Sequence, residues 1–292
     1  MCGLFGLLRS PGAAHPGYAS QAFVLLGVLA EERGVDAAGA AFLPSRSSAL
    51  PAGPGMARFR DVTVGGCRVV KGHGRFSGLW RSGLDPALDA AVLAIGHTRW
   101  ATQGGRRLVN ASPLLAGPLV GTHNGDVDVR SLRRGRQLPR ASGDTDSEVI
   151  FLALAGAVGL AGRVAVLERL TGRAALAWAD RSRAGRVHLA RGALSPLAVG
   201  VDQEGNVFWA SNPNWLRVAE RETPVRFARK VLLAEGTYLV IKRGTPSRAV
   251  ARRQFTPVAR PDDRYCQSLF RGFTLGDRAA VARLERHTVA WR

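Results

Sequence analysis

The sequence predicts an α+β fold in which stacked β-sheets are covered by helices. Three observations point to it. Short strand-like apolar runs recur along most of the chain, with only a few helical stretches between them. The 292 residues are 46% apolar, ample for a substantial core in one large domain or two small ones. No apolar run approaches the roughly 18 residues of a membrane span, and the N-terminus lacks a basic region followed by an apolar stretch and a cleavage site. Layered sheets with helices outside meet these constraints, and periodicity leaves the strand order open.

A short apolar strand starts at Cys2. Ala22, Leu25, Leu26 and Leu29 recur at helical spacing, so Tyr18 to Glu32 reads as an amphipathic helix with its apolar face inward. Strands follow at Asp36 to Leu43, Val62 to Val70, Ala91 to His97 and Leu119 to His123. Thr145 and Glu148 form a capping-box pattern that opens an apolar helix from Asp146 to about Ala157, and a second helix spans Arg163 to Leu170. Strand-like runs at Ala174 to Ala179, Arg186 to Ala190, Leu197 to Val201, Val207 to Ala210 and Gly236 to Ile241 complete the series. No repeat of solenoid length occurs.

The three cysteines, Cys2, Cys67 and Cys266, are far apart, odd in number and without metal-ligand spacing. They read as one functional thiol and two unpaired ones in a reducing, cytoplasmic compartment. The formal charge of +19 invites a nucleic-acid partner. Against that, Lys71, Lys230 and Lys242 are the only lysines, and the arginines are widely spread. Their one dense stretch, Arg130, Arg133, Arg134, Arg136 and Arg140, reads as a solvated helix and loop face. Nucleic acid is therefore disfavoured as a partner, and a membrane is not expected.

Cys2 lies directly behind Met1. Removing the methionine, as expected behind so small a side chain, leaves a thiol and a free α-amine on one residue. Because an α-amine titrates at about pH 7.7 to 8.0, it can take up the thiol proton directly or through a water. Downstream come Ile95-Gly96-His97-Thr98-Arg99-Trp100-Ala101-Thr102-Gln103-Gly104, Asn110-Ala111-Ser112-Pro113, Thr122-His123-Asn124-Gly125-Asp126 and Gly143-Asp144-Thr145-Asp146-Ser147-Glu148-Val149-Ile150.

With Cys2, this order and spacing resembles the class II glutamine amidotransferases. Within them it looks most like the glutaminase domain of the glucosamine-6-phosphate synthases, whose stretches read close to GHTRWATHG, HNG and ETDTEV. Arg33 to Gly39 is similar to that family's RGYDSAG segment, and Gly192 to Leu197 to its SGSPL segment. The resemblance runs from Cys2 to about Lys242. Five ordered motifs with the terminal Cys are a specific signal, whereas any one alone is weak.

The resemblance implies a four-layer α/β/β/α sandwich of the N-terminal-nucleophile hydrolase type. It implies a glutaminase domain over residues 2–243. Residues 244–292, with ten arginines against four acidic residues, would be a basic C-terminal extension or docking tail. Tyr265, Phe270 and Phe273 are available to anchor it. In the implied chemistry the Cys2 thiolate attacks the side-chain amide of L-glutamine. Asn124 and Gly125 then offer an amide N–H2 and a backbone N–H to the oxyanion, although an isolated Asn-Gly would read as a hairpin turn. Arg99 can pair bidentately with the substrate α-carboxylate, Asp146 takes the α-ammonium, and Trp100 and Thr102 flank the same substrate. No metal or organic cofactor is implied. His97 and His123 are expected to pack or hydrogen-bond, not to serve as the base; Arg33 helps position the N-terminus and Asp36 orders the following strand.

Three departures qualify the match. Gln103 and Ser112 stand where the family has His, and the sequence leaves no room for two sugar-isomerase domains. The expected function is a glutamine amidotransferase subunit or stand-alone glutaminase that passes ammonia to a separate synthase. Two rivals are an amidohydrolase for another γ-glutamyl or amide compound, and a non-catalytic regulatory or nucleic-acid-binding protein.

Overall fold

In the computed structural model, residues 2–44, 59–80, 83–134, 137–244 and 249–265 are described, the side chains of Arg264 and Tyr265 excepted. The expectations on Met1, Arg136, Cys266, Phe270, Phe273 and the Tyr265 side chain lie outside them. The chain runs β1 (Gly3–Leu8), α1 (Pro16–Ala30), β2 (Ala37–Pro44), β3 (Phe59–Val64), β4 (Cys67–His73), α2 (Phe76–Trp80), α3 (Asp85–Ala90) and β5 (Ala91–Arg99). Then come β6 (Leu114–Ala116), β7 (Leu119–Asp128), α4 (Arg130–Arg133), α5 (Asp146–Ala155), α6 (Gly159–Leu167), β8 (Thr171–Asp180) and β9 (Arg186–Arg191). The last elements are β10 (Ala198–Asp202), β11 (Val207–Ala210), α7 (Pro213–Glu222), β12 (Phe227–Leu232), β13 (Thr237–Lys242) and β14 (Ala251–Gln254).

Two antiparallel sheets result, one of eight strands in the order β12-β10-β11-β1-β5-β2-β4-β3 and one of six in the order β14-β13-β9-β8-β7-β6. Three apolar clusters define the layers. Phe23 and Leu26 of α1, Phe76 of α2 and Trp215 and Leu216 of α7 pack on Phe5, Phe42 and Phe208 of the larger sheet. Leu8, Ala41, Val69, Leu93 and Ile95 of that sheet meet Val120, Ala177, Leu189 and Leu239 of the smaller one. Beyond it, Ile150 and Phe151 of α5 and Val166 of α6 cover Leu176, Trp178 and Tyr238. Period-two strands with both faces apolar require this four-layer α/β/β/α stacking. Among the described residues no helix is long and apolar enough to cross a membrane.

Most elements fall where the sequence puts them, and the differences have local causes. The single strand read from Val62 to Val70 is a hairpin, turned at Gly65 and Gly66 with φ of 57° and 79°. Two consecutive positive-φ glycines form the tight turn that matches strand twist. The helix expected to start at Arg163 starts at Gly159. Helix α7 carries no expected counterpart, although its Asn212 cap accepts from Asn214 N at 2.9 Å and Pro213 opens the first turn. The boundary expected between residues 243 and 244 falls inside the β13–β14 hairpin: β14 pairs along β13 from Thr237↔Gln254 to Val240↔Ala251, so the smaller sheet continues past it.

Candidate active site

Strand β1 lies near the middle of the larger sheet, between β11 and β5. Its Gly3↔Thr98 pairing sets Cys2 beside the end of β5, where Arg99 and Trp100 leave the sheet. The half-buried Cys2 donates its S–H to the Trp100 carbonyl at 3.6 Å, and the Cys2 carbonyl accepts from Arg33 Nε at 3.0 Å. Arg33 is itself fully buried, which gives it the positioning role read from the sequence. Burial raises the Cys2 thiol above its ordinary range; the Arg99 charge lowers it and the Asp146 charge raises it. Both charges thus act on one sulfur.

Arg99 is buried, and its guanidinium organises the loop that follows it. Its Nη atoms donate to the carbonyls of Gly105 at 3.0 Å, Gln103 at 2.8 Å and Gly104 at 3.5 Å. Asp36 orders this same loop rather than strand β2 alone: it donates N–H to Arg99 O at 2.9 Å and accepts Ala101 N at 2.9 Å. Trp100 and Thr102 are exposed on the loop, with Trp100 45% accessible.

Asn124 and Gly125 sit inside β7, not at a turn. Gly125 faces Ala174 of β8, but Ala174 uses its N–H on Ala193 and its C=O on Gly192, on the opposite side. Gly125 therefore stands at a non-hydrogen-bonded position, its N–H turned away from β8. Val127, two residues on and facing the same way, gives its N–H to Asp146 Oδ2 at 2.9 Å. Strand β6 pairs with β7 only as far as Gly121, so among the described residues no strand pairs along the edge at Gly125. A side chain at 125 would collide with the Arg173 carbonyl, 1.9 Å from an ideal Cβ, and with His123 Nε2, so glycine is required there. Asn124 is fully buried; its Nδ2 donates to Ser211 Oγ at 3.3 Å, while its Oδ1 meets no partner among the described residues. Ser211 Oγ also accepts Leu4 N at 3.0 Å, which ties Asn124 to the strand that carries Cys2.

Asp146 is the first residue of α5, buried, with Oδ1 accepting Ser147 N at 2.7 Å. The capping box forms on one side only. Thr145 accepts Glu148 N at 3.4 Å, while Glu148 turns to the N–H groups of Ser142 and Gly143, both at 2.7 Å. His97 reaches across to the His123 carbonyl at 3.1 Å, and His123 Nδ1 lies 2.9 Å from Ser147 Oγ. Burial pushes the His97 imidazole down to about 3 and lowers His123 despite the nearby Asp146 charge, so both rings are neutral hydrogen-bonding groups.

The fold therefore brings the Arg99 and Asp146 charges to bear on the Cys2 thiol, and joins Asn124 to the Cys2 strand through Ser211. Ser211 and the Gln103 contact with Asp126, at 2.6 Å, were not singled out in the sequence. Ser211 offered only its place behind the apolar run of β11. Ser112, at the other substituted position, is buried, and its carbonyl lies 2.4 Å from where a Cβ on Gly39 would be.

No protein-family model matches the sequence. The chain is 32% identical over 226 residues to a glutamine-fructose-6-phosphate aminotransferase (isomerizing) of Streptomyces coelicolor, covering 73% of this chain and 32% of that protein. It is 32% identical over 218 residues to the protein of that name from Geobacillus kaustophilus, covering 71% and 31%. The chain thus spans about a third of the length of these curated relatives. A solved glutamine phosphoribosylpyrophosphate amidotransferase from B. subtilis, complexed with ADP and GMP, shares the fold, with a TM-score of 0.60 and 19% identity over 87% of this chain and 49% of that one. Sequence likeness along most of its length, joined to this common fold, means that the chain belongs to the class II glutamine amidotransferases of the N-terminal-nucleophile type.

Proposed function

We propose that this chain hydrolyses L-glutamine to glutamate and ammonia through a thioester on Cys2. The observation that carries the reading is the convergence of a half-buried thiol, a buried guanidinium and a buried carboxylate beside a strand edge that no described strand covers. Once Met1 is removed, the α-amine of Cys2 accepts the thiol proton, and the thiolate sulfur bonds to the γ-carbonyl carbon. The carbonyl electron pair moves onto oxygen, where the second N–H of Asn124 and the off-ladder N–H of Gly125 are the donors. Collapse of the oxyanion breaks the C–N bond. The proton on the α-amine leaves with the nitrogen as ammonia, and water then cleaves the thioester and restores the thiol.

Arg99 takes the α-carboxylate and Asp146 the α-ammonium. A carboxylate competes well against loop carbonyls for a guanidinium, because a full charge outweighs a dipole. Trp100 and Thr102 close over the substrate from the loop. The ammonia goes to a separate synthase, since in bulk water it would be protonated and lost as a nucleophile.

Intact-protein mass spectrometry before and after incubation with 6-diazo-5-oxo-L-norleucine tests the reading. Loss of Met1 and one adduct on Cys2, absent from Cys2→Ala, is the expected result. A retained Met1, or a processed chain that stays unlabelled, would sink it.

A further inference from the structure

The residues that follow β14 return to the candidate site. Phe255 is buried against the outer core, and the Val258 carbonyl accepts Gly172 N at 2.7 Å, which lays the segment alongside β8. Arg260 and Asp263 then close a four-charge ring with Asp126 and Arg173. Arg260 Nη2 lies 3.2 Å from Asp126 Oδ1 and donates to the Asp126 carbonyl at 3.3 Å. Asp263 accepts from Arg260 Nε at 3.0 Å and from Arg173 Nε at 3.0 Å, and Arg173 Nη2 lies 3.7 Å from Asp126 Oδ2. Two carboxylates between two guanidiniums leave the ring neutral. Arg173 and Asp263 are more than nine-tenths buried, so solvent screens their pair weakly, while the Arg260 side chain is 34% exposed.

Asp126 also accepts a 2.6 Å hydrogen bond from the Gln103 side chain. The carbonyl of that same Gln103 accepts from Arg99. An unbroken set of polar contacts thus leads from Asp263 through Arg260, Asp126 and Gln103 to Arg99. We infer that residues 255–263 form a clasp in which Arg260 and Asp263 are positioning residues, holding Asp126 so that it fixes the Gln103 loop and, through it, the orientation of Arg99 beside Cys2. Burial opposes ionisation of Asp263, and hydrogen bonds from Arg260 overcome it and hold the carboxyl below its ordinary range. The consequence for glutamine affinity rests on the proposed glutaminase reading; the hold on the loop does not.

The test uses the full chain with Arg260→Gln and Asp126→Asn, followed by hydrogen exchange across residues 100–105 and α5. Titrations of Cys2 labelling by 6-diazo-5-oxo-L-norleucine and by iodoacetamide accompany it. In both variants, loop exchange is expected to rise about tenfold, the scale of one charge-assisted hydrogen bond, while α5 exchanges as before. The analogue concentration for half-maximal labelling should rise by about the same factor, with the iodoacetamide rate unchanged and partial recovery in Arg260→Lys. Unaltered loop exchange in both variants would overturn the clasp, and a loosened loop with unaltered analogue dependence would overturn the positioning role. If the parent chain is never labelled yet the loop loosens, the clasp stands and the glutaminase reading fails.

Discussion

The two ends of the layer between the sheets are built on the same strands and differ in chemistry. At one end the inward positions are Leu8 on β1, Leu93 and Ile95 on β5, Val120 on β7, Ala177 and Ala179 on β8, and Val187 and Leu189 on β9. Continuing each strand by steps of two gives Cys2, then His97 and Arg99, then Asn124 and Asp126, then Arg173, and finally Arg191. The apolar end supplies cohesion. The polar end buries charge, some of it paired with charge, as Arg173 is with Asp126 and Asp263, and some held by backbone carbonyls, as Arg99 is. A packed apolar seam next to a polar cluster suits chemistry, because it fixes where the donors point without contributing competing groups.

Substitutions at the two ends should therefore separate function from stability. The largest effect belongs to Cys2→Ala, which should lower glutamine hydrolysis by about 10⁴-fold or more with little change in thermal midpoint. Residual turnover near the parental rate would move the nucleophile elsewhere. Next comes Asn124→Ala: kcat should fall by about 10² to 10³, the weight of one oxyanion donor, with KM almost constant in steady-state kinetics.

At the apolar end the pattern should invert. Leu93→Ala, in a fully buried position, is expected to cost about 2–5 kcal/mol in denaturant unfolding while kcat per folded molecule holds. A large loss of kcat there would mean that the two ends are not separable.

The last effect is a pH slope. Burial pushes His97 and His188 each down to about 3, against an ordinary value of 6.5. The unfolded chain therefore binds protons that the folded one refuses. Stability from these neutral rings is fully present above about 6.5 and declines as pH falls toward 3, by at most about 1.4 kcal/mol per pH unit for each ring. Urea unfolding across that window should show the decline, and His97→Gln should make it shallower. An unchanged slope would place the proton uptake at other groups.

What the sequence made legible followed from local chemistry. Alternating apolar residues marked the strands, and Thr145 with Glu148 marked the start of α5. Asn124-Gly125 shows the limit. Its dipeptide chemistry suits a hairpin turn, and its off-ladder place mid-strand depends on Ala174 pairing toward Gly192 and Ala193, far along the chain. Gly65-Gly66 is the reverse case, a turn signal at which the alternation changes phase, from Val62 and Val64 to Cys67 and Val69, so that one apolar run holds two strands. Arg260 and Asp263 carried no signal, since their partners Asp126 and Arg173 are reached only through the sheet.

The hairpin past residue 243 has a consequence for how the fold keeps to itself. Strand β13 lies between β9 and β14, and the outer strand β14 carries Arg252, Arg253 and Gln254. A chain cut after Lys242 would bare the backbone groups of Thr237, Tyr238, Leu239 and Val240 along an apolar, uncharged edge. Such an edge templates pairing with another copy. The arginine-bearing strand is thus a shield against self-association as well as part of the fold.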